Sequence, residues 1–462
     1  MKKRILSLFA FILVITPTVS VGKTNYLSSN VTDKTDEHLI EGVPYVGQDK
    51  QFFCHLASFT MVVKYYGINT TFEEVLYYAG NGYWQLYLDF DELINMQRIP
   101  YHMVSPFPNF VKFLTEQYGL SYELWETNIN VSFEERWNHD WPRIKENISN
   151  NIPVIFMIDE LILMLDYLGF ENIENLVNIF DPPEKDHFIV LVGFNENNNS
   201  ICIQDPAYLI MDKPELGTYR WTNLDLIKFA HSRCSPEQWG GTNLVKIFKK
   251  DKNTLSKEEA FIRAHNRSIE LLKGNQSIYF PDYDNEILGD CLEDDSQKAY
   301  FGTTGTKKHI QHCSMGLENR TKTMSIYKKH GKLGITKTLK DIFFYFYSKI
   351  FPEKNFLEFY KLENTNNFEH ASLSKQYVIR YLSQAKDFLN DSNLRYLCEY
   401  ELEMFKSLEK KWEILGHYYS IFLRKGIFTG FIQGNILMNK MKEKLEEIVT
   451  IEEAIIAGSS EE

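Results

Sequence analysis

The chain has 462 residues, more than one hydrophobic core usually organises, so we expect two folded units joined by a linker. Hydrophobic residues make up 44% and charged residues 24%, a globular balance that excludes a largely disordered chain. The net charge of -12, without a concentrated basic stripe, argues against nucleic acid as a partner, since that binding depends on clustered Lys and Arg.

The first residues follow the three-part pattern of a secretory signal peptide. Lys2, Lys3 and Arg4 precede an apolar run from Ile5 to about Ile15. This run is shorter than the about 20 residues that a membrane-spanning helix needs. We therefore predict a signal peptide over residues 1–22 and a secreted or extracytoplasmic protein. The one membrane contact left open is an uncleaved signal anchor.

The folded part is predicted to begin after a flexible lead-in. Residues 23–41 are mostly polar, and we place the start of the fold near Gly42. From Cys54 to Tyr66, apolar residues recur at helical spacing, and Gly67 follows where a C-terminal cap would lie. The pattern predicts a buried amphipathic helix with Cys54 in its first turn.

The rest of this first domain changes from helical to extended patterns. Two capping boxes, Thr71 with Glu74 and Ser132 with Glu135, each predict a helix start. Short runs rich in Val, Ile and Phe then predict strands at residues 153–158, 187–194, 201–204 and 244–248. Helices first and strands later indicate an α+β domain, which we assign to residues 42–250.

The C-terminal part has a helical pattern. A lysine-rich segment near residue 250 is predicted as a linker, and a third capping box, Ser256 with Glu259, begins the next helix. Three apolar stripes at helical spacing follow, so we predict an all-α helical bundle over residues 255–462. The polar segment Asp282 to Lys322 is expected to be a long loop, and Glu401 to lie at the edge of an apolar stripe.

A group of residues at the ends of predicted elements indicates thiol chemistry. Cys54 begins a helix, whose unpaired N–H groups stabilise a thiolate. Gln48, six residues earlier, is placed to donate with the Cys54 N–H to an oxyanion. His187 opens one strand and Asp205 ends the next, so an antiparallel hairpin makes them neighbours. We predict that Cys54, His187, Asp205 and Gln48 are the catalytic residues.

These motifs resemble those of papain-like cysteine peptidases. The Gln-x5-Cys helix start, the strand HFIVLVGF from His187 and the strand ICIQD before Pro206 are most similar to peptidase family 39 and its C39-like relatives. The resemblance covers about Gly42 to Lys249. It implies a papain-like cysteine peptidase domain, with N-terminal helices and a C-terminal antiparallel sheet. It also implies a hydrolase of peptide or amide substrates with Cys54 as nucleophile, His187 as base, Asp205 as orienting group and Gln48 as oxyanion donor.

A second resemblance leaves another activity open. The segment PVIFMIDELILMLDY before the His187 strand, and the later segments YVIRYLSQAKDFL and EKKWEILGHYY, are similar to the butirosin biosynthesis protein H acyltransferases. That resemblance implies acyl transfer from a thioester to an amine. The two reactions share an acyl-enzyme step, and the predicted export favours hydrolysis because carrier-protein thioesters are cytoplasmic.

One residue departs from the family pattern. His55 stands where such families commonly have Gly after the catalytic Cys, which leaves a third hypothesis, a catalytically silent binding module. The six cysteines contain no CxxC pair and recur at no metal-ligand spacing. We therefore expect neither a metal nor a cofactor.

Overall fold

The computed structural model describes thirteen stretches of the chain. They are residues 36–48, 53–83, 86–90, 107–126, 131–167, 169–180, 186–209, 213–234, 242–249, 255–274, 297–314, 367–421 and 431–459. The predicted signal peptide and most of the predicted lead-in lie outside these stretches. Within them, no helix combines the length and apolarity needed to cross a membrane.

Nine strands are described in two antiparallel sheets. They are β1 (Glu37–Leu39), β2 (Leu86–Phe90), β3 (Leu120–Glu126), β4 (Val154–Asp159), β5 (Asp186–Asn195), β6 (Ser200–Gln204), β7 (Arg220–Asn223), β8 (Thr242–Lys249) and β9 (Gln297–Phe301). The larger sheet has seven strands in the order β3-β8-β4-β5-β6-β7, with β1 paired to β5. Strands β2 and β9 form a separate pair. The large sheet therefore brings together chain segments from residue 37 to residue 249.

Thirteen helices are described. They are α1 (Cys54–Tyr65), α2 (Phe72–Tyr78), α3 (Phe107–Gln117), α4 (Phe133–Ser149), α5 (Glu160–Tyr167), α6 (Ile173–Phe180), α7 (Pro214–Gly217), α8 (Leu224–Ser232), α9 (Lys257–Lys273), α10 (Gly302–Ser314), α11 (Asn367–Phe388), α12 (Ser392–Ile421) and α13 (Phe431–Gly458). The architecture is α+β in the N-terminal part, followed by a helical C-terminal region.

The large sheet is covered by helices. Every residue of β4 is buried, which explains its continuous apolar sequence VIFMI instead of an alternating one. Helices α1, α4 and α8 all contact β4. Helix α1 is also tied to β5, because the hydroxyl of Ser58 donates to the carbonyl of Phe188 over 3.0 Å. This packing fixes the start of α1 relative to the start of β5.

The predicted helix starts are confirmed. The Ser132 and Ser256 side chains both accept from the N–H three residues on, and the carboxylates of Glu135 and Glu259 in return accept from the backbone N–H of these serines. Thr71 caps α2 in the same way by accepting from the Glu74 N–H. Each cap satisfies N–H groups that a helix start otherwise leaves unpaired. Local sequence therefore determines where these three helices begin.

Two sequence expectations are corrected by the structure. The fold begins before Gly42, because Glu37–Leu39 already pairs with β5 and Ile40 is buried. The polar segment from Asp282 to Lys322 is not a loop throughout, since it contains β9 and α10. In both cases the pairing partner lies far away in the chain, at β5 and β2, so local composition carries no sign of it.

The helical C-terminal region shares a core with the α+β part. The ring of Tyr77 in α2 stacks on Phe261 at 5.7 Å and lies 4.4 Å from the ring of Tyr381 in α11. Glu401 of α12 is fully buried, not at a stripe's edge as expected, and accepts from the hydroxyl of Tyr83 over 2.9 Å. Burial of a carboxylate is tolerated because a donor reaches it from the other part of the chain.

Gly82 of the α+β part lies close to helix α11 of the C-terminal region, and this contact predicts the effect of a substitution on stability. Its φ of +88° favours glycine, and a Cβ there would lie 2.5 Å from Val378 Cγ2 and 3.2 Å from the carbonyl oxygen of Ser374. Gly82→Ala should therefore destabilise the fold by left-handed strain of about 1–2 kcal/mol plus overpacking of about 1–3 kcal/mol. Urea unfolding followed by circular dichroism measures the change.

Gly67→Ala is the matched control for this prediction. Gly67 has a similar φ of +79°, but a Cβ there meets nothing within 4 Å. Gly67→Ala should therefore lower the free energy of unfolding by the left-handed strain alone. Equal losses of unfolding free energy in the two variants would show that a Cβ at Gly82 causes no overpacking against α11.

Candidate active site

Cys54 is the first residue of α1, as predicted. Cys54 is 8% exposed, so its sulfur is largely buried. Phe53 at the N-cap provides no side-chain hydrogen bond, and the first turn holds no acidic residue. The first-turn N–H groups are therefore not used by a cap or opposed by a carboxylate, and their positive end faces the thiol region. The start of a helix is a common position for a reactive thiol.

His187 and Asp205 form a buried pair at one end of the β5–β6 hairpin. His187 Nε2 donates to Asp205 Oδ1 over 2.7 Å, and each side chain is 2% exposed. The pairing of Val190 with Gln204 sets the hairpin register, which places the beginning of β5 beside the residue that follows β6. The neighbourhood predicted from the two strand patterns is therefore present.

Asp205 is held by contacts on both its side chain and its backbone. Its Oδ1 also accepts from the Ala207 N–H over 3.0 Å. Its backbone N–H donates to the Gly217 carbonyl over 2.8 Å, and its carbonyl accepts from the Tyr45 hydroxyl over 3.0 Å. These contacts fix the direction of the carboxylate and so the plane of the His187 ring.

In the His187–Asp205 pair, charge interactions and hydrogen bonds together shift the pKa values more than burial does. Burial alone lowers the pKa of His187, but Asp205 and Cys54 oppose this and raise the pKa well above 6.5. Burial alone raises the pKa of Asp205, but His187, the Ala207 N–H and the charge of Arg220 lower it below 3.8. The stable form of the pair is therefore an imidazolium beside a carboxylate.

Cys54 interacts with the same imidazole. Interaction with Cys54 contributes, after that with Asp205, to the raised pKa of His187. Because Nε2 of His187 is engaged by Asp205, Nδ1 is the ring nitrogen available for a contact with the sulfur. The structure thus brings together a helix-start thiol, an imidazole and an orienting carboxylate, in the order that nucleophilic catalysis requires.

Gln48 lies beside the same residues. It is 2% exposed, its N–H donates to the Pro206 carbonyl over 3.0 Å, and its side-chain Oε1 accepts from the Phe53 N–H over 3.1 Å. With the amide oxygen engaged, the NH₂ group is the part of the side chain that can donate. This arrangement suits the predicted role of Gln48 as an oxyanion donor.

His55, the departure from the family pattern, is packed into the core. It is 2% exposed, and its ring meets the edge of Phe188 with 6.0 Å between centroids. Burial lowers the pKa of His55 to about 3, so this imidazole is neutral near pH 7. It therefore adds no second positive charge beside Cys54.

Cys202 and Cys398 lie in a different environment from Cys54. Cys54, Cys202, Cys234 and Cys398 are all buried, and none of them forms a disulfide. The pKa of Cys202 and that of Cys398 are each raised to about 12 by burial, so both stay protonated. Within the same stretches, no three His, Cys, Asp or Glu residues cluster in a way that could hold a metal ion.

Several supporting residues were missed by the sequence reasoning. Tyr45 and Gly217 anchor Asp205, Ser58 anchors β5, and Arg220 contributes charge. Gly217 permits a close approach, since a Cβ there would lie 2.2 Å from the Asp205 carbonyl oxygen. Of these residues, only Gly217 could have been noticed in the sequence, because a glycine permits two backbone segments to approach closely. The other contacts join residues distant in the chain.

The buried pair predicts a pH response. In Asp205→Asn, the pKa of His187 should fall, because burial still lowers it while the carboxylate that raises it is gone. Titration of the imidazole by NMR measures this. His55 and His231, with pKa values lowered by burial to about 3 and about 4, serve as internal controls that stay neutral throughout. An unchanged pKa at His187 would contradict the ion-pair assignment.

The same shifts set a stability window for the wild-type chain. The raised pKa of His187 gives stabilisation that is complete below pH 6.5 and is lost as pH rises through the folded-state pKa. The lowered pKa of Asp205 gives stabilisation present above pH 3.8 and lost as pH falls through its folded-state pKa. Asp205→Asn should remove both contributions from the pH dependence of unfolding.

Comparison with known proteins agrees with this geometry. Residues 40–224 match the model of the Peptidase_C39 like family, a segment that contains Gln48, Cys54, His187 and Asp205. No curated protein matches the chain, so the resemblance to butirosin biosynthesis H proteins stays a prediction. Together with the α+β architecture, the match supports a C39-like, papain-like peptidase domain over residues 40–224.

Proposed function

We propose that the protein is an exported thiol hydrolase that cleaves peptide or amide bonds through Cys54, His187 and Asp205. The observation that carries the proposal is the fully enclosed His187–Asp205 pair, 2.7 Å between Nε2 and Oδ1, with Cys54 acting on the same imidazole. The family match supports a cysteine peptidase-like enzyme at the level of the family. The basic and apolar start of the chain supports export.

The first half-reaction forms an acyl-enzyme. The Cys54 sulfur, as thiolate, attacks the carbonyl carbon of the substrate, and the carbonyl oxygen becomes an oxyanion. The Gln48 NH₂ group and the Cys54 N–H donate to this oxyanion. The imidazolium of His187 gives its proton to the leaving amine as the carbon–nitrogen bond breaks. The acyl group stays on sulfur as a thioester.

The second half-reaction releases the acid. His187, now neutral, takes a proton from water, whose oxygen attacks the thioester carbonyl. The carbon–sulfur bond breaks, and the Cys54 thiolate is restored beside the imidazolium. Asp205 keeps the ring in one orientation through both steps, because its carboxylate is itself fixed by the Ala207 N–H. The low exposure of the site strengthens each of these electrostatic interactions.

Covalent labelling tests the nucleophile. Iodoacetamide should alkylate Cys54 in the wild-type chain, and Cys54→Ser should abolish this reaction because a Ser hydroxyl is not alkylated by iodoacetamide under these conditions. Peptide mapping by mass spectrometry locates the label. Hydrolysis of peptide substrates should fall in parallel, by at least about 10³-fold, as expected when a nucleophile is removed.

Cys234 provides a matched control for this experiment. It is a buried thiol of similar exposure, 6% against 8% for Cys54, and its sulfur donates to the Ala230 carbonyl over 3.6 Å. Cys234→Ser should leave labelling and hydrolysis unchanged. Equal labelling of the wild-type chain and Cys54→Ser would contradict the assignment and favour a binding module without catalysis.

A further inference from the structure

The cap residue Phe53 connects two of the proposed catalytic groups. Its N–H donates to Gln48 Oε1 over 3.1 Å, and its carbonyl accepts from the Ala57 N–H over 2.9 Å in the first turn of α1. The Phe53 N–H therefore sets the orientation of the Gln48 amide, while the Phe53 carbonyl belongs to the first turn of the helix that carries Cys54. The position of Phe53 is thus part of the geometry of the oxyanion donors.

The Phe53 side chain is held by the helical C-terminal region. Phe53 is 3% exposed, and its ring meets that of Tyr377 in α11 with 5.0 Å between centroids and 77° between planes. Tyr377 is itself 2% exposed. Aromatic pairs in this edge-to-face geometry contribute about 0.5–1.5 kcal/mol beyond the area they bury. The contact is a directional one between residues more than 300 positions apart.

Tyr377 also meets the second helix of the α+β part. Its ring lies edge-on to Phe72, the first residue of α2, at 5.7 Å. The guanidinium of Arg380 lies over the Tyr377 ring at 5.1 Å and approaches Glu73 at 3.9 Å. Tyr377 thus lies between the starts of α1 and α2, where a shift of its ring moves Phe53.

Helix α11 is fixed independently of Tyr377. Two residues earlier, the buried ammonium group of Lys375 donates to the Gly82 carbonyl. One turn later, Tyr381 packs against Tyr77 at 4.4 Å and against Tyr78 at 5.8 Å. These contacts lie on both sides of Tyr377, so α11 stays docked on the α+β part when one of them alone is lost.

We propose that Tyr377 is a positioning residue for the reaction of Cys54. Its ring holds Phe53, and the Phe53 N–H holds the Gln48 amide in the orientation that donates to the oxyanion. The inference rests on the proposed thiol hydrolase function and extends it, because it makes the helical C-terminal region a part of the active-site support. The proton chemistry of Cys54 and His187 depends on other contacts, those of Ser58 and Asp205.

Two probes separate these roles in the full-length chain. A peptide aldehyde bonds its carbonyl carbon to the Cys54 sulfur and places its oxygen, as oxyanion or protonated by His187, among the oxyanion donors. Iodoacetamide forms a sulfur–carbon bond and releases iodide, so no oxyanion arises. The aldehyde affinity therefore reports on Gln48 orientation, whereas the alkylation rate and its pH profile report on the thiolate and His187.

Tyr377→Leu should weaken aldehyde binding about ten-fold, because misplacing a catalytic group by about 1 Å costs up to about 10²-fold. It should leave the rate and pH profile of alkylation unchanged. Tyr377→Phe, which keeps the ring, should restore the aldehyde affinity. Tyr381→Leu is the matched control, an identical change one turn away at a buried tyrosine that packs on Tyr77. Tyr381→Leu should lower the melting temperature but leave both the aldehyde affinity and the alkylation rate unchanged.

A double-mutant cycle tests the route through Gln48. Gln48→Ala should weaken aldehyde binding by about 10²-fold, the usual effect of losing one oxyanion donor. In that background, Tyr377→Leu should add less than about two-fold, since interacting residues are non-additive. Equal effects of Tyr377→Leu with and without Gln48 would overturn the proposal, as would a Tyr381→Leu variant with the same loss of aldehyde affinity.

A second variant keeps the test decisive if Tyr377→Leu does not fold. Phe53→Leu removes the same ring pair from the other side, and it should weaken aldehyde binding to a similar degree without changing alkylation. Failure of the proposed function looks different, because then Cys54→Ser would be labelled like the wild-type chain. If Cys54 reacts as expected but Phe53→Leu retains full aldehyde affinity, the positioning role alone is wrong.

Discussion

The buried ion pair between His187 and Asp205 is the interaction on which the site depends. Taking two charged groups out of water is costly, and the pair persists only because each charge finds its partner within 2.7 Å and further donors satisfy the carboxylate. The same enclosure strengthens the effect of Asp205 on the imidazole. His187 is thereby kept charged at a pH where an isolated buried histidine is neutral, as His55 and His231 are.

The fold supplies the rigid frame that this pair requires. The β5–β6 hairpin brings the two residues to one end of the sheet, and Tyr45 and Gly217 hold the Asp205 backbone there. Helix α1 is fastened to β5 through Ser58, which sets the distance from the helix start to the imidazole. Sheet register and helix docking therefore position the proposed catalytic side chains, which lie at the ends of these elements.

The helical C-terminal region is joined to this frame by polar and aromatic contacts within one core. Tyr83 reaches the buried Glu401, Lys375 reaches the Gly82 carbonyl, and Tyr377 packs on Phe53. Residues Glu37 to Glu462 accordingly form one compact unit. A buried carboxylate or ammonium group makes such a junction specific, because sliding the helices would leave a charge unpaired.

Much of the local structure and the meeting of His187 with Asp205 could be predicted from the sequence, because they depend on short-range patterns. Capping residues such as Ser132 and Ser256 determine helix starts, and the apolar runs determine strands; the pairing of His187 with Asp205 follows from hairpin geometry. Contacts between distant segments were decided only by the tertiary structure. The early strand Glu37–Leu39, the burial of Glu401 and the meeting of Phe53 with Tyr377 leave no periodic or compositional trace, since each depends on a partner far away in the chain.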